Sequence, residues 1–291
     1  MKIGRTRTLQ SAKYLEKKRK RLVVTISLIS FIFLICVLLL VLFLRLPFLQ
    51  VKSVIVNGST TVSATGIQDT VMKNLQGNYL FFIPKSNFLF YPKNRITKDI
   101  LSSYNKLSDS SLELDGIDRL TVSVAERIPA VTVCEGYRDD EAENLCYFAD
   151  SSGYVYEKIE GFYDDVYFRY YLNTSSTTVS LGSPFIDPSR FSKLQSFISD
   201  LDNTIVKSNG LLIGDDGSYE LYIENKDGST GVVYFDDRIP LENTKTNLTV
   251  FWQNALNKKI GLSYMPSFEY INLRFGRNIF YLVKTDNAKQ E

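Results

Sequence analysis

LVVTISLISFIFLICVLLLVLFL, residues 22–44, carries no charged side chain, although Arg21 and Arg45 bound it on either side. A helix rises about 1.5 Å per residue, so the run reaches about 34 Å, and the hydrocarbon core of a bilayer is about 30 Å thick. Its few polar atoms, the hydroxyls of Thr25, Ser27 and Ser30, can bond back to helix carbonyls and need no outside partner. The run therefore reads as a membrane helix, with lipid as its first partner. A cleaved signal peptide has a shorter apolar core followed by small residues, whereas this run leads into Arg45, Leu46, Pro47 and Phe48. It is expected to persist as an anchor.

Charge sets the expected orientation, because Lys and Arg flanking a span stay on the cytoplasmic side. The first 21 residues hold nine bases (Lys2, Arg5, Arg7, Lys13, Lys17, Lys18, Arg19, Lys20 and Arg21) against one acid, Glu16. That leaves them at +8, so the chain total of +2 places −6 on the remainder. A single-pass type II topology in the cell membrane follows, with a short basic cytoplasmic tail and the bulk outside. The acidic outer part has no electrostatic footprint for nucleic acid, and the Lys17–Arg21 cluster reads as topogenic.

Roughly 245 residues follow the anchor, more than one core usually needs, so two domains are expected. Histidine is absent, which removes Ser/His/Asp and Cys/His catalysis and the commonest zinc ligand. Cys36 lies within the span, and Cys134 and Cys146 face the outer compartment. An oxidising space favours a disulfide between the latter two; reduced thiols packing as small apolar residues are the alternative.

Beyond the anchor, Val51, Val54 and Val56 mark a strand ended by Asn57-Gly58-Ser59. Ser63 can cap a helix bearing Ile67, Val71 and Leu75, and the stretch Asn78 to Tyr91 is aromatic and irregular. After Pro92 a second helix is predicted to align Ile96, Ile100, Leu101, Tyr104 and Leu107. Leu112 and Leu114, then Leu120, Val122 and Val124, flank the hairpin signal Asp115-Gly116. The order strand, helix, helix, strand, strand predicts a small α+β domain over residues 49–134.

Residues 135–284 read as a larger, mainly antiparallel β domain with flanking helices, and residues 285–291 as a loose tail. Ala130 to Cys134 and Leu145 to Phe148 can pair across the acidic turn Asp139, Asp140, Glu141 and Glu143, setting the two cysteines opposite each other. Asp187-Pro188 opens a helix with the stripe Phe191, Leu194, Phe197, Ile198 and Leu201. Strands are predicted at Leu211 to Ile213, Tyr219 to Ile223 and Val232 to Phe235. A helix follows Pro240, and a terminal hairpin joins Phe268 to Phe275 with Ile279 to Val283 through Gly276-Arg277-Asn278.

Signals for chemistry are sparse. Ser103-Tyr104-Asn105-Lys106 matches Ser-x-x-Lys, in which a lysine helps deprotonate a nucleophilic serine, so a membrane-tethered cell-wall enzyme using Ser103 and Lys106 is an alternative. Its companion Ser-Asp-Asn and Lys-Thr-Gly signatures are missing. The acidic turn lacks the glycine and ligand spacing of a calcium loop, and Asp164-Asp165, Asp215-Asp216 and Asp236-Asp237 sit in predicted turns where Asp bonds the backbone. No phosphate loop, nucleophile elbow or HExxH occurs, and no cofactor or metal is expected.

Val51 to Gly58, Leu120 to Ala130, Tyr147 to Val155 and Tyr270 to Phe275, in that order behind the anchor, together resemble strings of the bacterial cell-division family FtsQ/DivIB. Val51-Lys52-Ser53-Val54-Ile55-Val56-Asn57-Gly58 resembles the first strand and glycine turn of its POTRA domain. Leu120 to Ala130, with Glu126-Arg127-Ile128-Pro129, resembles its strand ending in Glu-Arg-x-Pro. Tyr147 to Val155 resembles the hydrophobic-Asp-x-x-Gly hairpin of its second domain. Tyr270-Ile271-Asn272-Leu273-Arg274-Phe275 resembles its terminal strand, with Asn272 where the family usually carries Asp. The resemblance implies a non-enzymatic scaffold at the division septum that binds the coiled-coil membrane proteins FtsB/DivIC and FtsL, and other septal proteins, and helps control wall synthesis. It also implies binding through the last strands by β-augmentation, which points to Arg274 and Phe275, and then to Ile279 and Tyr281. For Glu126 and Arg127 a structural role in the small domain is expected, their charges pairing across its sheet or covering its edge.

Overall fold

The computed structural model describes residues 12–80, 82–138, 145–160, 166–173, 179–256, 266–276 and 278–284. The acidic turn at 139–143, the pair Asp164-Asp165, Arg277, most of the basic tail's first half and residues 285–291 lie outside them. Helix α1 (Ala12–Leu44) is the one helix among the described residues long and apolar enough to cross a bilayer. Its apolar side chains are almost all exposed, an arrangement that lipid solvates and water does not. Thr25 Oγ1 bonds back to the Arg21 carbonyl at 2.8 Å, which satisfies its hydroxyl within the helix.

The chain divides into two units, one formed by residues up to 100 with 109–124, the other by 101–108 with the residues from 125 onward. In the first, a short 3-10 turn (Pro47–Leu49) leads to β1 (Ser53–Asn57) and α2 (Ala64–Leu75). Two-residue strands β2 (Asn78–Tyr79) and β3 (Ile83–Pro84) precede α3 (Lys93–Ser103), β4 (Leu107–Asp115) and β5 (Arg119–Glu126). The sheet order is β1-β5-β4, with β1 parallel to β5. Ile67, Val71 and Leu75 of α2 and Ile96 and Ile100 of α3 are buried at the three- and four-residue spacing of one helix face, as are Leu112, Leu120 and Val122 at the two-residue spacing of the strands. Ser63 caps α2, accepting from the Gly66 N–H at 3.2 Å. Gly58 has φ +84 and lies so close to the Val124 carbonyl that a Cβ would sit 2.1 Å from its oxygen.

One sequence expectation changes here. Leu107 was expected on the α3 face, but α3 ends at Ser103 and Leu107 opens β4, its N–H bonded to the Tyr104 carbonyl at 3.0 Å. A three-residue spacing serves a tight turn as well as a helix, so Tyr104 and Leu107 could not distinguish the two.

The second unit contains β6 (Val131–Glu135), β7 (Cys146–Ala149), β8 (Tyr154–Lys158), β9 (Phe168–Asn173), β10 (Ser183–Pro184) and α4 (Pro188–Thr204). There follow β11 (Ser208–Gly214), β12 (Ser218–Glu224), β13 (Thr230–Asp236), α5 (Leu241–Leu256), β14 (Phe268–Phe275) and β15 (Asn278–Val283). The ten strands form one mostly antiparallel sheet in the order β10-β8-β7-β6-β9-β11-β12-β13-β14-β15, and the two helices accompany it. The pairs β6/β9, β9/β11 and β13/β14 are parallel. Parallel neighbours need a long crossover, and α4 supplies one between β9 and β11, α5 another between β13 and β14. Both helices bury their stripes in the same core, Phe191, Leu194 and Phe197 from α4 and Leu248 and Phe251 from α5. Because β6 belongs to this sheet, the border lies at Val124/Ala125, ten residues before the pattern change near 135. Pro129 marks a gap between two strands, and the two strands serve different sheets. Cys134 and Cys146 stand directly opposite in the β6/β7 register and are joined by a disulfide.

Candidate functional site

The large sheet has two edges of opposite character. At one end β10 is two residues long and ends in Pro184, the kind of short, proline-bearing edge that resists further pairing. At the other, β15 pairs only with β14 and carries Asn278-Ile279-Phe280-Tyr281-Leu282-Val283, six residues without a charge or a proline. The edges of the small sheet are guarded. β4 bears Asp109, Glu113 and Asp115, and the Val54 carbonyl of β1 accepts from Gln68 Nε2 at 3.1 Å. Among the described residues β15 is the apolar, unguarded edge.

Several contacts fix this edge in place. The buried Asn225 side chain both donates to the Phe268 carbonyl at 2.9 Å and accepts from the Phe268 N–H at 3.0 Å, completing the ladder where β14 begins. Asn247 of α5 donates to the Gly276 carbonyl at 3.1 Å and holds the turn into β15. Strand alternation then divides the side chains. Ile279 and Val283 pack against the core, and the Tyr281 ring lies 5.2 Å from Phe251 and 6.0 Å from Phe268, on the helix-covered face.

On the opposite face Tyr234, Tyr270, Asn272, Phe275 and Phe280 line a shallow, open depression. Phe275 is 56% exposed and Phe280 53%, and their rings meet edge-on at 5.2 Å. Arg274 lies beside it with its guanidinium 5.1 Å from the Tyr234 ring, while its N–H and Nε both donate to Asn272 Oδ1 at 3.2 Å. The asparagine thus takes a strand-end bonding role that needs no carboxylate. Burial, reinforced by the Glu220 carboxylate, raises the Tyr234 phenol above its ordinary value.

Of the four residues singled out from sequence, Arg274 and Phe275 therefore border the depression, whereas Ile279 and Tyr281 support it from the core side. Phe280 and Leu282, the latter 44% exposed, complete the free face and were missed. The signal was present in the unbroken apolar run from Ile279 to Val283, since a strand apolar on both faces has something to cover on each.

Two of the recognised strings also meet. The Arg127 guanidinium bonds Asp150, donates through Nε to the Asn105 carbonyl at 3.1 Å, and stacks 3.8 Å from the Tyr154 ring. Asp150 in turn accepts from the Ser152 N–H (2.8 Å), the Ser152 hydroxyl (2.6 Å) and the Tyr154 N–H (3.2 Å), closing the β7–β8 turn. Burial by itself would raise the Asp150 pKa; the bonds from Ser152, Arg127 and Tyr154 together outweigh it and hold the group below its ordinary value. With side chains only 15% and 13% exposed, the pair is a structural clamp, but it is formed within the second unit and not in the small domain, where the role of Arg127 was expected. Next to it, Lys106 ion-pairs with Glu157 at 2.5 Å, and Ser103 is an exposed residue at the end of α3.

No protein-family model matches the chain, and no curated protein is similar to it.

Proposed function

We propose that this chain is a membrane-anchored docking protein of the bacterial division complex, of FtsQ/DivIB type, which receives partner segments along the free edge of β15. In this reading α1 anchors a type II protein at the division septum, its basic end inside and both units outside. The first unit, with β1 parallel to β5 and two helices, plays the part of a POTRA domain. Coiled-coil partners like FtsB/DivIC and FtsL bind the second unit, other septal proteins bind elsewhere, and the assembly helps regulate septal wall synthesis without chemistry of its own.

The observation that carries the reading is the contrast between the two sheet edges. A short, proline-capped edge is built to refuse a strand; an uncharged six-residue edge that carries exposed Phe280, with exposed Phe275 just before it, is built to accept one. Backbone bonds along β15 supply affinity, and the depression beneath Tyr234 and Tyr270 supplies a pocket for alternate side chains of the incoming strand.

The reading is tested by capturing partners with the full-length chain from detergent-solubilised membranes of dividing cells. Wild type is expected to recover a small coiled-coil membrane protein, and Phe275→Asp or Phe280→Asp to lose it while the melting temperature holds. Undiminished recovery by both variants would remove β15 as the docking edge.

A further inference from the structure

The aromatic stretch at residues 78–91 takes no part in the docking edge, yet it is tied to the end of the membrane helix. Arg45 Nε donates to the Phe82 carbonyl at 2.9 Å. The side chain of Asn87, fully buried, donates to the Leu44 carbonyl at 2.9 Å, and the Phe88 N–H donates to the Leu49 carbonyl at 3.0 Å. These bonds fasten the loop to the last turn of α1. A span from Leu22 to Leu44 slightly exceeds the bilayer core, so Leu44 sits at the border of the headgroup layer, and anything bonded to it shares that depth.

What the loop displays there is apolar. Leu80 is 84% exposed and Leu89 63%, and Phe82, Phe90, Leu46 and Phe48 are exposed as well. None of the six is more than two residues from a group bonded to the Leu44–Leu49 segment. Leu80 is also the one non-glycine residue with positive φ, at 46°, among the described residues. A strained backbone that drives a leucine outward has a purpose in a site that receives it, and none in water. Arg45 bonds the Phe82 carbonyl and Lys85 lies 5.9 Å from the Tyr79 ring, so two cations stand beside the patch, where they can meet lipid phosphates.

We infer that Leu46, Phe48, Leu80, Phe82, Leu89 and Phe90 insert into the headgroup and acyl boundary of the leaflet in which α1 ends, giving the first unit a second, monotopic hold on the bilayer. The occupant is lipid. A patch that surrounds the exit of a membrane helix at headgroup depth meets lipid before it can meet a soluble protein. One hold would leave the unit swinging about Arg45; two fix its tilt. This inference rests on α1 crossing a bilayer and is independent of any role in division.

The test uses the full-length chain in vesicles of phosphatidylcholine and phosphatidylglycerol, with Trp252→Phe removing the native tryptophan. Single probes are placed at Phe82→Trp and Phe90→Trp in the patch and at Leu34→Trp in the span. Ala64→Trp, at the start of α2 beyond the far end of β1, is the aqueous control. Lipids brominated near the top of their acyl chains are expected to quench Phe82→Trp and Phe90→Trp, as they do Leu34→Trp, and to leave Ala64→Trp bright. Quenching confined to Leu34→Trp would overturn the inference while leaving the anchor intact, and no quenching anywhere would remove both. Patch probes shielded from acrylamide yet unquenched by brominated lipid would assign the surface to a protein instead, and would equally overturn it.

Discussion

Asp150→Asn isolates the charge of the Arg127–Asp150 clamp from its shape, since asparagine can still accept from Ser152 and Tyr154 through one oxygen. A hydrogen bond to a charged group contributes about 1.5–3 kcal/mol, and stranding a buried charge costs about 3–5 kcal/mol. Arg127 keeps the Asn105 carbonyl and the Tyr154 ring, so the loss falls toward the lower figures, about 2–3 kcal/mol. For a unit of this size each kcal/mol moves the melting temperature about 2–4 °C, which gives a fall of roughly 4–12 °C. Near-ultraviolet circular dichroism of the full-length chain in detergent reads it through the buried tyrosines. The sign with pH is set by the lowered folded pKa of Asp150: its contribution is complete above the ordinary value of 3.8 and is lost as pH falls through the folded value. The gap between wild type and variant should therefore be full at neutral pH and close below about pH 4. Equal melting temperatures at neutral pH, or a gap that survives strong acid, would refute the clamp.

Tyr170→Phe should stabilise the second unit by about 1 kcal/mol in urea unfolding, because the Tyr170 ring is fully buried and its hydroxyl has no hydrogen-bond partner among the described residues. Destabilisation would mean the hydroxyl is satisfied after all. Gly58→Ala should cost about 2 kcal/mol or more, since it combines a left-handed backbone with a collision at the Val124 carbonyl, and amide exchange in β1 and β5 should rise with it. Reducing the Cys134–Cys146 bridge, which closes a loop of separation 12, should lower the unfolding free energy by about 3 kcal/mol, while the Cys134→Ser/Cys146→Ser double variant should not respond to reductant.

Local signals in the chain were legible where one residue decides a conformation. Ser63 and Asp187 cap helices as their side chains require, Gly58 and Gly116 take the left-handed turns, and Cys134 stands opposite Cys146 in the β6/β7 register. Long-range order was not legible. β9, Phe-Arg-Tyr-Tyr-Leu-Asn, has no clean alternation because it lies in the middle of the sheet with Tyr170 and Leu172 in the main core and Tyr171 buried on the other face. Its parallel pairing with both β6 and β11 follows from the crossover through α4, which no window of sequence displays. The Arg127–Asp150 contact joins residues 23 apart whose local patterns carry no hint of each other. At the candidate site the resemblance pointed to Arg274 and Phe275, whereas the exposed face with Phe280 and Leu282 emerges only once the pleat separates the faces of β15.

Hydrogen exchange along β15 addresses the docking edge without intermediaries. With the full-length chain in detergent and the protein it captures from membranes added, the outward amides of Asn278 to Val283 should slow sharply, because on the proposed reading an incoming strand takes them into a ladder. Protection that rises elsewhere in the second unit while Asn278 to Val283 exchange at their unbound rates would contradict the account.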